Sequence, residues 1–225
     1  ISFLDDITLI GSVDNVCRAW QSIQVLLAEI GLSVNLSKCK LYPKPEVDKA
    51  RLVDLFVGVD VCEQGVRMLG VPFGSQDFKK QYLEDYRSTL SSDLSQLSNL
   101  PSLQHRYLLL YFCWCRKPQY LLRCMPPEYM DLFVSELNDA LFSVLQSWWS
   151  LSLSADQRTQ LMLPIRFGGM GLGIHPGICR PAYLCGTLAA AMDDHLEASD
   201  LEAFLAPIVE LHQELARFIL SLIHI

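Results

Sequence analysis

No apolar run in this 225-residue chain reaches the ~18 residues needed to cross a bilayer, so no membrane partner is expected. The eight cysteines contain no CxxC pair and follow no regular spacing, which argues against zinc and for reduced, packed thiols in a reducing, intracellular compartment. His105, His175, His195 and His212 show no ligand spacing. There is no basic leader followed by a cleavage site, hence no expected secretory signal, and no starting Met, which suggests an excised or truncated chain. Internal repeats and low-complexity tracts are missing too. What is present is a globular composition, 51% hydrophobic and 19% charged, with material for a sizeable core. Charge is uneven. Residues 1–125 carry 14 Lys and Arg against 13 Asp and Glu, whereas 126–225 carry 4 against 12. The first part suits local contact with a polyanion, and the second would repel one.

Hydrophobic periodicity predicts a helix over 14–30, where Val16, Trp20, Ile23, Leu27 and Ile30 recur three and four residues apart, with Asp14 as N-cap and Gly31 as its stop. A loop and strand follow over 33–42, and the charged segment 43–54 reads as a surface excursion. Two Val-rich runs, 56–61 and 66–71, read as a hairpin turning at 62–65 and closed by Gly70, Pro72 and Gly74. After residue 75 the pattern changes to long helices over 78–97, 103–124 (with a possible interruption at Pro118) and 128–149. A Ser-rich link over 150–154, a glycine-rich loop over 168–173 and helices over 182–192 and 201–218 complete the chain. The fold class expected is α+β at the start and mostly α after residue 76.

The segment Phe3-Leu4-Asp5-Asp6 is where chemistry is expected. Adjacent carboxylates between apolar strand residues repel each other and are costly near a core unless a cation neutralises them. A bound divalent metal would do so, and a solvated β-turn is the plainer alternative.

Read in order, several segments resemble reverse transcriptases of non-LTR (LINE-type) retrotransposons. Residues 3–11, an aromatic, a variable residue and two aspartates, resemble the catalytic hairpin. Gly31-Leu32-Ser33-Val34-Asn35-Leu36-Ser37-Lys38 resembles the next palm motif, and Leu69-Gly70-Val71-Pro72-Phe73-Gly74 the primer-grip hairpin. Residues 100–127 resemble thumb helices, and 163–172 a segment that follows the thumb. The resemblance implies a palm tail over 1–75, a thumb over 76–150 and a post-thumb region over 151–219. It implies RNA-templated DNA synthesis with Mg2+, in the nucleus or cytoplasm, with an RNA template, a DNA primer and a dNTP as partners.

By the same resemblance, Asp5 and its neighbour Asp6 would hold the metal. Lys38 would meet the pyrophosphate, or else be an ordinary surface lysine. Phe3, Leu4, Gly70, Val71, Pro72 and Gly74 would lie at the primer terminus. Arg106, Arg116, Lys117 and Arg123 would line the duplex backbone, or else flank a core helix and face water. Leu4 is larger than the alanine often found at its position, and 43–54 has no counterpart. The family's further catalytic aspartate lies on a strand upstream of the hairpin, so the chain alone is expected to be inactive.

The glycine-rich loop lacks the Lys-Ser/Thr of a phosphate-binding loop and is not expected to bind phosphate. Trp148-Trp149 is expected to pack a joint between domains. Residues 220–225 are what CTG TCT CTT ATA CAC ATC encodes, a string matching a transposase end used in sequencing adapters, so these six residues are expected to be translated adapter and are set apart from the fold; the alternative is an apolar continuation of the helix over 201–218. A second functional reading is a non-catalytic relic or co-opted helical interaction module, which suits the acidic second half. A third, another metal-dependent nucleotidyl transferase, fits the later motifs less well.

Overall fold

The first helix, α1 (Val13–Glu29), opens at Ser12 rather than at Asp14. Asp14 instead occupies the first turn, where a carboxylate suits the helix dipole, and it pairs with Arg51 at 2.6 Å. At the far end the Leu32 and Gly31 amides donate to the Leu27 and Ala28 carbonyls, a Schellman closure with Gly31 at C′. These details come from a computed structural model, which describes residues 2–3 and 6–193. The expected helix over 201–218 and the tail 220–225 lie outside the described residues. The chain divides into two units, residues 1–81 and 82–225.

The first unit is α+β with short ladders. Strands β1 (Ser2–Phe3) and β2 (Asp6–Ile7) are antiparallel. Leu9 and Ile10, apolar residues that read as strand together with Ile7, lie beyond β2, and Ile10 is 76% exposed. Strand β3 (Lys40–Leu41) pairs in parallel with β4 (Asp60–Val61). Between them the expected excursion is a helix, α2 (Lys49–Leu55), whose N-cap Asp48 accepts from the Ala50 amide at 3.0 Å. Its charges mask one apolar edge: Leu52 and Phe56 are buried and join Cys17 in a small core flanked by Trp20, Leu41 and Val59.

The hairpin is present in a different register. Its strands are β5 (Gly65–Met68) and β6 (Val71–Gly74), so 62–65 is not the turn. Leu69 and Gly70 form a two-residue turn with φ of 48° and 84°, the geometry that matches strand twist. Gly65 pairs with Gly74 across the ladder.

The second unit is helical among the described residues. Helix α3 (Gln76–Ser98) leads from the first unit into α4 (Leu103–Phe112), α5 (Gln119–Cys124), α6 (Pro127–Trp149), α7 (Ala155–Met162) and α8 (Cys179–Asp193). The interruption allowed for near Pro118 in the helix over 103–124 is present and divides it in two, with Pro118 at the N-cap of the second helix. The break begins at Cys113, and a 3₁₀ turn (Trp114–Arg116) carries Trp114 inward, where its indole donates to the Leu90 carbonyl at 2.9 Å. Helix α6 is the central element. Met130, Phe133, Val134, Leu137, Leu141 and Leu145 are buried along it at helical spacing, with Pro127 at its first position.

Trp148 packs inside this unit, not at a joint between domains. Its indole donates to Ser98 Oγ at 2.9 Å and Arg106 lies 5.1 Å over its ring. The Ser-rich link ends in an unexpected helix, α7, closed by a capping box between Ser154 and Gln157. Helix α8 begins three residues earlier than its periodicity suggests, at Cys179. No described helix is long and apolar enough to cross a membrane.

Candidate functional site

Phe3 and Asp6 are partners in the β1–β2 ladder, so Leu4 and Asp5 are the two residues that connect the strands. Leu4 and Asp5 themselves lie outside the described residues. Two consecutive carboxylates supply hard oxygen donors of the kind Mg2+ takes, and leave most of an octahedral shell to water and other donors. Among the described residues no group of three His, Cys, Asp or Glu side chains is placed to hold a metal.

Lys38 ends a short 3₁₀ turn (Leu36–Lys38) organised by Asn35. The Asn35 carbonyl accepts from the Lys38 amide at 3.1 Å, and Asn35 Oδ1 accepts from Ser37 Oγ at 2.7 Å. The Asn and Lys of that motif therefore act together, one building the turn and the other exposed at its end. Gly70 sits at the hairpin tip. Val71 and Pro72 are buried, with Pro72 paired to Arg67 on a ladder of only two strands, where its missing N–H costs no inner hydrogen bond.

The four cations of the expected duplex face are spread over three elements and held differently. Arg106 Nε donates to the Leu100 carbonyl at 2.6 Å, and Lys117 pairs with Asp93 at 2.6 Å. Arg116 lies 5.2 Å over the Tyr111 ring. Arg123 is exposed near the end of α5.

One constellation had no signal in the sequence. The glycine-rich loop is pinned to the helices by three side chains far away in the chain. Asn138 on α6 donates to the Ile174 carbonyl at 2.7 Å and accepts from the Ile174 amide at 2.9 Å. Tyr107 donates to the Met170 carbonyl at 3.1 Å, and the Gly173 amide donates to Cys115 Sγ at 3.4 Å. Burial raises the Tyr107 phenol and the Cys115 thiol above their ordinary values, so both keep their protons. A Cβ at Gly171 would meet Tyr111 Cε2 at 2.5 Å, which gives the glycine there a packing reason.

Buried Cys179 opens α8. Burial first, then the hydrogen bond and negative charge of Asp131, push its thiol from 9.0 up to about 12. The folded state thus holds this proton more tightly than the unfolded chain. Its contribution is intact below about pH 8.5, the ordinary thiol range, and is lost as pH climbs toward 12. The urea midpoint is expected to fall across that interval, and Cys179→Ala should make the fall shallower; an unchanged slope would remove Cys179 as its source.

No protein-family model, no curated protein and no solved structure matches the chain.

Proposed function

We propose that the chain is part of an RNA-directed DNA polymerase of the non-LTR retrotransposon class, with the palm tail over 1–75, the thumb over 76–150 and a helical region after it. The observation that carries the reading is the order of the motifs, from the aspartate pair through Asn35 and Lys38 to the Leu69–Gly74 hairpin and then helices. Local geometry supports it: an antiparallel ladder pairing Phe3 with Asp6, a 17-residue helix after it, Lys38 exposed at the end of a turn, and a two-residue hairpin tip at Leu69-Gly70.

On this reading Asp5 and Asp6 hold Mg2+, which when bound activates the primer 3′-hydroxyl and stabilises the leaving pyrophosphate. Lys38 neutralises charge on that pyrophosphate. The Gly70–Gly74 backbone, with Phe3 and Leu4, positions the primer end. Arg116 and Arg123 meet phosphates of the template–primer duplex, while Arg106 and Lys117 first have to leave Leu100 and Asp93. Those two commitments, with the net charge of −7, favour the second reading of a non-catalytic helical interaction module.

Primer extension on an RNA template with Mg2+ separates the two. Extension is expected from a version carrying the upstream coding sequence, and none from the 225-residue chain. Asp5→Ala in the longer version should abolish it. Full synthesis by the 225-residue chain, or extension indifferent to Asp5→Ala, would overturn the assignment.

A further inference from the structure

Helix α4 turns apolar side chains to solvent. Leu109 and Phe112 are 40% and 65% exposed and stand three residues apart, so they share one face, which the exposed Cys113 continues at the break after the helix. Beside that face runs a cleft of about 340 Å³ between α4 and the end of α3. Leu97, Leu100, Leu109, Cys113 and Trp114 line it, and the Lys117–Asp93 ion pair stands at the side nearest α5. No acid occurs between Asp93 and Glu128, a stretch that holds four Lys and Arg. Helix α8 carries the chain toward this side. Its first residue, Cys179, hydrogen-bonds Asp131, and Tyr183 neighbours Glu128 and Cys124. Gly186 then lies against the Arg123 backbone, where a Cβ would stand 2.6 Å from the carbonyl oxygen. Each step along α8 is thus a step back through α6 and α5 toward Lys117, and residues 187–193 add about 10 Å in that direction.

We propose that the segment 201–218 of the same chain lays its apolar edge along the α3–α4 cleft and covers Leu109 and Phe112. Residues 194–200, the link from α8, reach at most about 25 Å. Beyond the link, helical spacing puts Leu201, Leu205, Ile208 and Leu215 on one edge and Glu210, Gln213 and Glu214 on the opposite one. The cleft has room for a few aliphatic side chains of that edge, and their burial drives the docking. Charge agrees with the fit. Residues 194–218 carry six Asp and Glu against Arg217 alone, and they arrive at the stretch of the helical unit that has cations and no acids. A tethered segment needs little intrinsic affinity, because the short link holds it at about millimolar effective concentration. The inference stands apart from the polymerase reading, since it uses no metal, template or primer.

Two measurements on the full chain test it, one read at the cleft and one on the segment. Iodoacetamide alkylation, followed by peptide mass spectrometry, reads Cys113. Leu205→Asp together with Ile208→Asp should speed its alkylation about tenfold or more, the factor expected for unseating even one buried aliphatic side chain. Cys185, exposed on α8, should keep its rate and serves as the reference. Gln213→Ala, on the opposite edge, should leave Cys113 as it is. Trypsin reads the segment, because Arg217 is the one Lys or Arg in residues 181–225. Leu109→Asp should speed cleavage after Arg217 about tenfold for the same reason. A cooperative circular dichroism melt shows that each variant is folded, and if Leu109→Asp is not, the segment variant decides alone. Equal alkylation of Cys113 in the parent and the segment variant would overturn the proposal, as would equal cleavage at Arg217 in the parent and a folded Leu109→Asp. Protection of Cys113 that falls on dilution of the protein would overturn it too, because a second copy and not the tethered segment would then fill the cleft.

Discussion

Replacing Asn138 with alanine is expected to destabilise the helical unit by about 2–5 kcal/mol, because it strips the partners from two buried backbone groups at once. Asn138 is 7% exposed and Ile174 6%. Water therefore does not replace what the amide supplies to the Ile174 N–H and C=O, and the penalty is that of leaving both unsatisfied rather than the modest net value of an exchanged hydrogen bond. Urea denaturation of the two proteins measures the difference. Asn138→Leu distinguishes the cause, since it restores volume but no hydrogen bond. Recovery by leucine would mean that the cavity, and not the orphaned backbone, carried the loss. Asn138→Asp keeps an acceptor for the Ile174 amide and turns a carboxylate toward the Ile174 carbonyl, so it should fare little better than alanine.

Gly74→Ala should unfold the first unit. At φ +149° the residue is in a region L side chains rarely adopt, and a Cβ there would overlap the Gln64 carbonyl and the Gly65 Cα. Backbone strain and overpacking each cost about 1–3 kcal/mol. The expected total of about 2–6 kcal/mol falls on a unit whose buried core is Cys17, Leu52 and Phe56. Gly31→Ala is the comparison. Its φ of +78° is equally left-handed, but nothing lies within 4 Å of a Cβ there, so only the backbone term applies. Limited proteolysis of residues 1–81 reads both variants. Equal resistance of Gly74→Ala and the parent would show that the hairpin relaxes at little cost.

What was legible in the sequence is what local periodicity carries. The helices α1 and α6 repeat apolar residues every three or four positions over 17 and 23 residues, and tertiary packing agrees with that signal. Helix α2 was hidden by its lysine, arginine and aspartates, although Leu52 and Phe56 already stood four apart. The hairpin register was ambiguous because two Val-rich runs allow several turns. It is settled by Gly70, which gives the tip its positive φ, and by Gly65 opposite Gly74. Ser154 and Gln157 stand at capping-box spacing, a signal masked by the run of serines that ends at Ser154. The candidate site divides in the same way. Asp5, Asp6, Lys38 and the Leu69–Gly74 segment are contiguous motifs, and a single sequence displays them. Asn138, Tyr107 and Cys115 act on residues 36, 63 and 58 positions away. No spacing rule connects them, and only the folded chain shows that the glycine loop is held.

Those separations also set an order in time. A ribosome adds about 5–20 residues per second, so Tyr107 has been made for several seconds before Met170, 63 residues later, is available to receive its hydroxyl. Helix α4, and then α6 once residue 149 has been added, exist without the segment that covers Asn138 and Cys115. The nascent helical unit therefore waits with polar groups and apolar surface open until the loop arrives, with α8 still to follow it.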